Sequence, residues 1–214
     1  ARADRGGQPQ TRVTPPATVV ALLAAFAGPP LFVVLPDRLF GELPSLAIQA
    51  ALQALYCGLA GFVLWVVVAR ERLPLRSIGL HRPTWATLAV AALLWAIAMY
   101  VLPTITAPLL NALGTEGLEA GLQRLVVLPL WFRVIVGITG GAIEEILYRG
   151  YAIERLHVMT GRRWLAATIS VTAFGLAHIP AWSHGLALGA DLPFGILMTL
   201  CYLWRRDLVA NILA

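Results

Sequence analysis

Long unbroken apolar runs dominate this chain, each closed by arginines or by Gly and Pro. Crossing a bilayer as a helix takes about 20 mostly apolar residues. Six runs meet that length, near 17–36, 45–69, 84–103, 126–157, 163–180 and 186–204, and 207–214 begins a seventh. The runs are continuous and do not alternate with period two, so they predict helices and not the strands of a membrane barrel. Gly28-Pro29-Pro30 predicts a kink or a break in the first run. The segment 104–124, with Gly114, Glu116, Gly117 and Glu119, reads as a loop or a short interfacial piece. Residues 1–16 hold Gly, Gln, Pro and three Arg and read as a flexible basic tail. With no internal repeat and no long linker, 17–214 reads as a single membrane-embedded domain. The fold class expected is all-α, a polytopic transmembrane bundle of about six full helices plus a truncated seventh.

Composition agrees. Of 214 residues, 59% are hydrophobic and 13% charged, against roughly 25% charged in a soluble domain; mean hydropathy is +0.77. Too few polar groups remain to cover a soluble surface, and too many apolar ones for disorder. All 16 basic residues are arginine, and the net charge is +5. These arginines sit between apolar runs, which fits membrane topology and argues against a nucleic-acid partner. Arg2, Arg5 and Arg12, then Arg70, Arg72, Arg76 and Arg82, then Arg155, Arg162 and Arg163, then Arg205 and Arg206 fall on one side. Only Arg38, Arg124 and Arg133 fall on the other. The positive-inside rule then puts the N-terminus in the cytoplasm. The all-arginine usage and Ala/Leu/Val-rich helices suggest a GC-rich bacterium and hence its inner membrane. Cys57 and Cys201 lie in apolar runs without CxxC spacing, so neither a disulfide framework nor a Cys metal site is expected.

Charges within a bilayer cost at least a few kcal/mol each and usually mark function. The fourth run carries Glu144, Glu145 and Arg149. Glu145 and Arg149 are i and i+4 and share a helix face, which predicts an ion pair. Glu144 lies about 100° round the helix, which leaves it free to face a cavity and act as general base toward water. The fifth run carries Phe174 and His178, again i and i+4. Gly161 marks the turn between the two runs, with Glu144 17 residues before it and His178 17 after it. In an antiparallel hairpin, equal distance from the turn means equal depth. A carboxylate and an imidazole at one depth predict a water-activating or metal-binding site.

Other polar residues read more blandly. His184 and Asp191 flank the sixth run and are expected at the outer interface, and His81 and His157 in the arginine-rich zones. Arg133 after Trp131-Phe132 reads as a snorkelling residue. Trp182, Trp204 and Tyr202 suit an aromatic belt, and Gly140-Gly141 suits close helix packing.

Among intramembrane proteases, a His-Glu-x-x-His zinc motif and a Gly-x-Ser-Gly serine motif are both missing, and Asp191 lacks a second intramembrane Asp. Glu144-Glu145-x-x-x-Arg149, followed about 25 residues later by Phe174-x-x-x-His178, resembles the CPBP intramembrane proteases, also called the CAAX prenyl endopeptidase or Abi family. The resemblance runs from about Trp131 to the end, and Tyr148 and Gly150 suit its pattern. It implies an endopeptidase that uses a Glu-activated water, with Glu144 as base and His178 as partner, supported by Glu145, Arg149 and Phe174. Glu144 and His178 would permit a divalent metal such as zinc without requiring one. The expected partners are membrane lipid and a membrane-associated protein or peptide. The family pattern includes a further His-x-x-x-Asn or His-x-x-x-Asp on the next helix. That His is expected at or just after position 215, with Asn211 no substitute for it. A noncatalytic scaffold or bacteriocin self-immunity protein of the same fold, and an ion- or proton-coupled transporter, are the rival readings.

Overall fold

The computed structural model describes residues 15–41, 45–115, 122–123 and 125–214. The basic tail up to residue 14, with Arg2, Arg5 and Arg12, lies outside the described residues, as do Glu116, Gly117, Glu119 and Arg124. Seven helices and no strands occur among the described residues. They are α1 (Pro15–Phe40), α2 (Leu46–Arg70), α3 (Trp85–Leu113), α4 (130–160), α5 (Arg163–Trp182), α6 (His184–Arg205) and α7 (Leu208–Leu213).

All except α4 and α7 are long and apolar enough to cross a membrane, which makes five such helices. Their most apolar windows bury only 17% to 39% of their residues within the bundle. The rest is an apolar exterior, with Leu23, Leu55, Ile138 and Leu176 among its exposed side chains. A surface this greasy needs lipid around it, and the chain is an integral membrane protein. The fourth run is long enough to be a sixth span. It is too charged to be counted as one, because Arg133, Glu144, Glu145, Arg149, Glu154 and Arg155 all lie on it.

Two expectations change here. Residues 104–113 are helical and continue α3, where a loop or a short interfacial piece was expected. Pro103 stands early in that segment, inside the continuous helix, where a local π adjustment accommodates its missing N–H. A π-type turn, Ile97–Val101, precedes it, and Thr104 Oγ1 donates to the Val101 carbonyl at 2.7 Å. The helix ends instead at Gly114, with φ +89°. Of the kink or break expected at Gly28-Pro29-Pro30, the break does not occur, because consecutive prolines bend a helix more readily than they end one when neighbouring helices hold it. Here α2 and α5 pack along it.

The core centres on α4, against α1, α2 and α5, through Val63, Leu147, Tyr148, Tyr151 and Phe174. A second cluster joins α3, α6 and α7 through Val90, Leu94, Met198, Cys201 and Ala210. Tyr202, expected at the aromatic belt, is fully buried in a third cluster and donates to Glu154 Oε1 at 3.0 Å.

One end of the bundle is tied by buried charges. Glu71, just past α2, accepts from Arg155 Nε (2.7 Å), Tyr151 Oη (2.9 Å) and Thr18 Oγ1 (2.9 Å). Glu154 pairs with Arg206. Asp207 caps α7 and meets Thr87 Oγ1 at 2.8 Å and His81 Nε2 at 3.3 Å. The arginine-rich segments around 70–82, 155–163 and 205–206 thus share one end, as the arginine pattern requires.

Candidate functional site

The α4–α5 hairpin turns at Gly161, whose φ of +68° is a left-handed conformation that suits glycine. The equal arms bring His178 Nε2 to 3.8 Å from Glu144 Oε1. Both residues are partly open to a cavity, with Glu144 29% and His178 16% exposed. His178 Nδ1 lies 2.8 Å from the Phe174 carbonyl. A carbonyl only accepts, so Nδ1 carries a proton, and in the neutral ring Nε2 is then an acceptor. Glu144 as a carboxylate is also an acceptor. Two acceptors 3.8 Å apart are beyond hydrogen-bond range and are matched to a molecule that donates a proton to each.

Glu145 points the other way. Its Oε1 is 3.0 Å from Arg149 Nη1, and its Oε2 accepts from Asn211 Nδ2 at 2.9 Å. Arg149 is 1% exposed. Its Nη2 donates to the Gly195 carbonyl at 3.2 Å, and its guanidinium lies 4.1 Å from the Phe174 ring centroid. Phe174 meets Tyr148 edge-on at 5.3 Å and the His178 ring at 4.4 Å. A continuous set of contacts therefore leads from the ion pair to the imidazole. Gly195 makes room for it, since a Cβ there would stand 2.7 Å from the Phe174 ring and 3.2 Å from Arg149 Nη2. Helix α4 carries this group on a π-type turn, Glu145–Ala152, a distortion frequent at functional sites. Ser170 Oγ, on α5, donates to the Tyr148 carbonyl within that turn at 2.6 Å.

Three residues make contacts that the sequence reading did not assign to them. Asn211, no substitute for the missing His by its position in the sequence, is buried and bonds both Glu145 and the Met198 carbonyl, each at 2.9 Å. Asp191 is not simply interfacial, because it lines the same cavity as Glu144 and His178. It stands on the π-type turn Ala187–Asp191 at the start of α6. Arg133 does not snorkel away from the protein. It too lines the cavity, and its Nε is buried with no hydrogen-bond partner among the described residues. His184, by contrast, is exposed.

The cavity has a volume of about 580 Å³ and an apolar wall that includes Phe32, Leu52, Phe132 and Trp182. Polar groups are few, which is typical of a small-ligand or peptide site. Among the described residues, no group of three or more His, Cys, Asp or Glu is arranged to hold a metal. Catalytic zinc ordinarily takes three protein ligands, and Glu144 with His178 supplies two.

Residues 126–214 match one family model, described as type II CAAX prenyl endopeptidase Rce1-like. This stretch holds α4 to α7 and every residue of the site just described except those contributed to the cavity wall by α1 and α2. No curated protein and no solved structure matches the chain.

Proposed function

We propose that this chain, similar over residues 126–214 to the CAAX-type intramembrane proteases, is an endopeptidase that hydrolyses a peptide bond of a membrane-associated protein or peptide. The observation that carries the reading is the facing pair, Glu144 Oε1 and His178 Nε2, 3.8 Å apart at the wall of a largely apolar cavity. A water between them donates one proton to each. Glu144 removes a proton as the water oxygen attacks the scissile carbonyl, and that proton passes to the departing amine. His178 orients the water through its second proton and keeps its own tautomer through the Phe174 carbonyl. Glu145, Arg149, Asn211 and Phe174 are positioning residues that hold the Glu144 turn and the imidazole in place.

A divalent metal such as zinc would use Glu144 and His178. These two fall short of the usual ligand set, so the water chemistry here rests on the protein groups alone. The chain is read as sitting in a bacterial inner membrane, N-terminus and charged end toward the cytoplasm, on the strength of its arginine asymmetry.

Cleavage of a membrane-anchored peptide in detergent, by wild type and by Glu144→Gln, tests the reading. Activity in the wild type alone supports it. Equal cleavage by both proteins, or none by either, favours a scaffold or transporter. A chelator arm that abolishes wild-type activity would restore a metal to the mechanism.

A further inference from the structure

Attack of the water oxygen on a peptide carbonyl drives the π pair onto the carbonyl oxygen, where a negative charge develops. Glu144 is an acceptor, and so is His178 Nε2, because Nδ1 carries the ring proton toward the Phe174 carbonyl. Neither offers that oxygen a donor at the moment of attack. Besides His178, the side chains on the cavity wall with N–H or O–H groups are Gln49, Gln53, Tyr56, Arg133 and Trp182. Arg133 stands about 16 Å from Glu144 along α4, and Trp182 is one turn, about 6 Å, past His178 on α5. Gln53 Nε2 is engaged by Thr139 Oγ1 at 2.6 Å.

That last bond fixes a register. Helices α2 and α4 both run toward the arginine-rich end, so they are parallel, and Gln53 is level with Thr139. Tyr56 is about 4.5 Å beyond Gln53, and Glu144 about 7.5 Å beyond Thr139. The two are thus level to within about 3 Å, whereas Gln53 and Gln49 stand one and two turns further back. The Tyr56 ring is held by Phe32, with centroids 5.3 Å apart, and packs on the core cluster of Leu147 and Phe174. Among the charges around its phenol, that of Glu144 acts most strongly. Tyr148 Oη, by contrast, is buried and off the cavity wall.

We propose that Tyr56 is a further catalytic residue, whose phenolic O–H donates to the oxygen of the scissile carbonyl as that oxygen becomes anionic. It comes from α2, outside the stretch that matches the family model. The phenol keeps its proton throughout. The π pair moves to oxygen as the water attacks and returns as the C–N bond breaks, and the proton held by Glu144 leaves on the amine. A hydrogen bond to the anion is stronger than one to the carbonyl, so Tyr56 acts on the transition state more than on the bound substrate. This role rests on the hydrolase reading of the same site.

The probe is a quenched-fluorescence peptide anchored by an S-farnesyl cysteine. A second form carries a difluoroketone in place of the bond after that cysteine, and a third carries CF2–CH2 there, without the oxygen. The ketone hydrates to a gem-diol shaped like the tetrahedral intermediate, and fluorine NMR reads the binding of both analogues. Tyr56→Phe removes the hydroxyl and leaves the ring on Phe32. It should melt with the wild type in detergent, lower kcat by about 10²–10³ and leave KM within about threefold. Its affinity for the difluoroketone should fall about tenfold relative to the oxygen-free analogue, the worth of one hydrogen bond. A kcat within about threefold of wild type, or an unchanged ratio of the two affinities, overturns the assignment. The ratio is taken within one preparation, so it stays readable if the variant folds in lower yield. Failure of the wild type to cleave the peptide sinks the hydrolase reading by itself. The affinity ratio then still decides Tyr56: its loss upholds the donor, and no change removes it.

Discussion

Asn211 Nδ2 donates to Glu145 Oε2 at 2.9 Å, and this bond ties the last helix to the charged turn at the centre of the bundle. The same amide also donates to the Met198 carbonyl, so one side chain joins α4, α6 and α7.

Asn211→Ala leaves a buried carboxylate oxygen and a carbonyl without their donor, at a cost of about 1–3 kcal/mol. Asn211→Asp is expected to be worse, because it sets a second carboxylate against Glu145. Thermal unfolding in detergent would show the order wild type, then Ala, then Asp. An Ala variant that melts with the wild type would deny the bond any weight.

Arg149→Ala strands Glu145 in the core and should cost about 3–5 kcal/mol, with a loss of folded yield. Replacing both partners together, Glu145→Gln with Arg149→Met, should cost much less than the sum of the two single changes. Size-exclusion yield and melting temperature measure both. Additive losses would mean that the 3.0 Å pair is not coupled.

Glu144→Gln keeps the shape of the side chain and touches none of the buried ion pair. Its melting temperature should stay close to wild type while peptide hydrolysis falls by about 10²–10⁴, the range for loss of a general base. Retention of full activity would falsify the assignment of Glu144 as base.

Gly195→Ala drives a methyl group to 2.7 Å from the Phe174 ring. Overpacking of this kind costs about 1–3 kcal/mol. Because the Phe174 ring lies against the His178 ring, tilted by 48° at 4.4 Å, hydrolysis should fall further than the lost stability accounts for. Activity per folded molecule, from active protein corrected by size exclusion, separates the two effects. If activity falls only in step with folded protein, the link from Phe174 to His178 is void.

Topology can be read with Arg76→Cys and His184→Cys, each in a background carrying Cys57→Ala and Cys201→Ala. An impermeant thiol reagent should label them from opposite faces, position 76 from the cytoplasm. Labelling of both from the same face would contradict the arginine-based orientation.

The parts of this molecule that are legible in its sequence are those fixed by short spacings along one helix or by reflection across one turn. Glu145 and Arg149 are one helical turn apart, and Glu144 and His178 sit at equal distances from Gly161. Their relative placement therefore follows from helix geometry alone. Asn211, Asp191 and Arg133 are different. Asn211 reaches Glu145 across 66 positions of sequence, through the packing of α7 on α3, α4 and α6, and no periodicity encodes that. Asp191 enters the cavity from a π-type turn, which shifts register relative to an ideal helix. Arg133 obeys the ideal period, but its meaning depends on what lies opposite, and the open glycine surface exists only once the helices are assembled. The extension of α3 is hidden for a local reason. Pro103 and Pro108 resemble stops in the sequence, although both are carried within the helix.

The buried carboxylates Glu71, Glu154 and Asp207 meet Arg155, Arg206 and His81 at one end of the bundle. Toward the other end, α4 presents Gly137, Gly140 and Gly141 to open space. The bundle is in mechanical terms a clothes-peg: clamped where ions interlock and compliant where a single side-chain hydrogen bond, Gln53 Nε2 to Thr139 Oγ1 at 2.6 Å, accompanies apolar contact. Fluctuations that part the helices at the glycine end break no buried ion pair among the described residues, and the apolar surface they bare is covered by lipid tails at little cost. Amide exchange should accordingly run from fast around 133–141 to slow around 145–155 along the same continuous helix, and a substrate arriving sideways from the bilayer would meet the yielding end first.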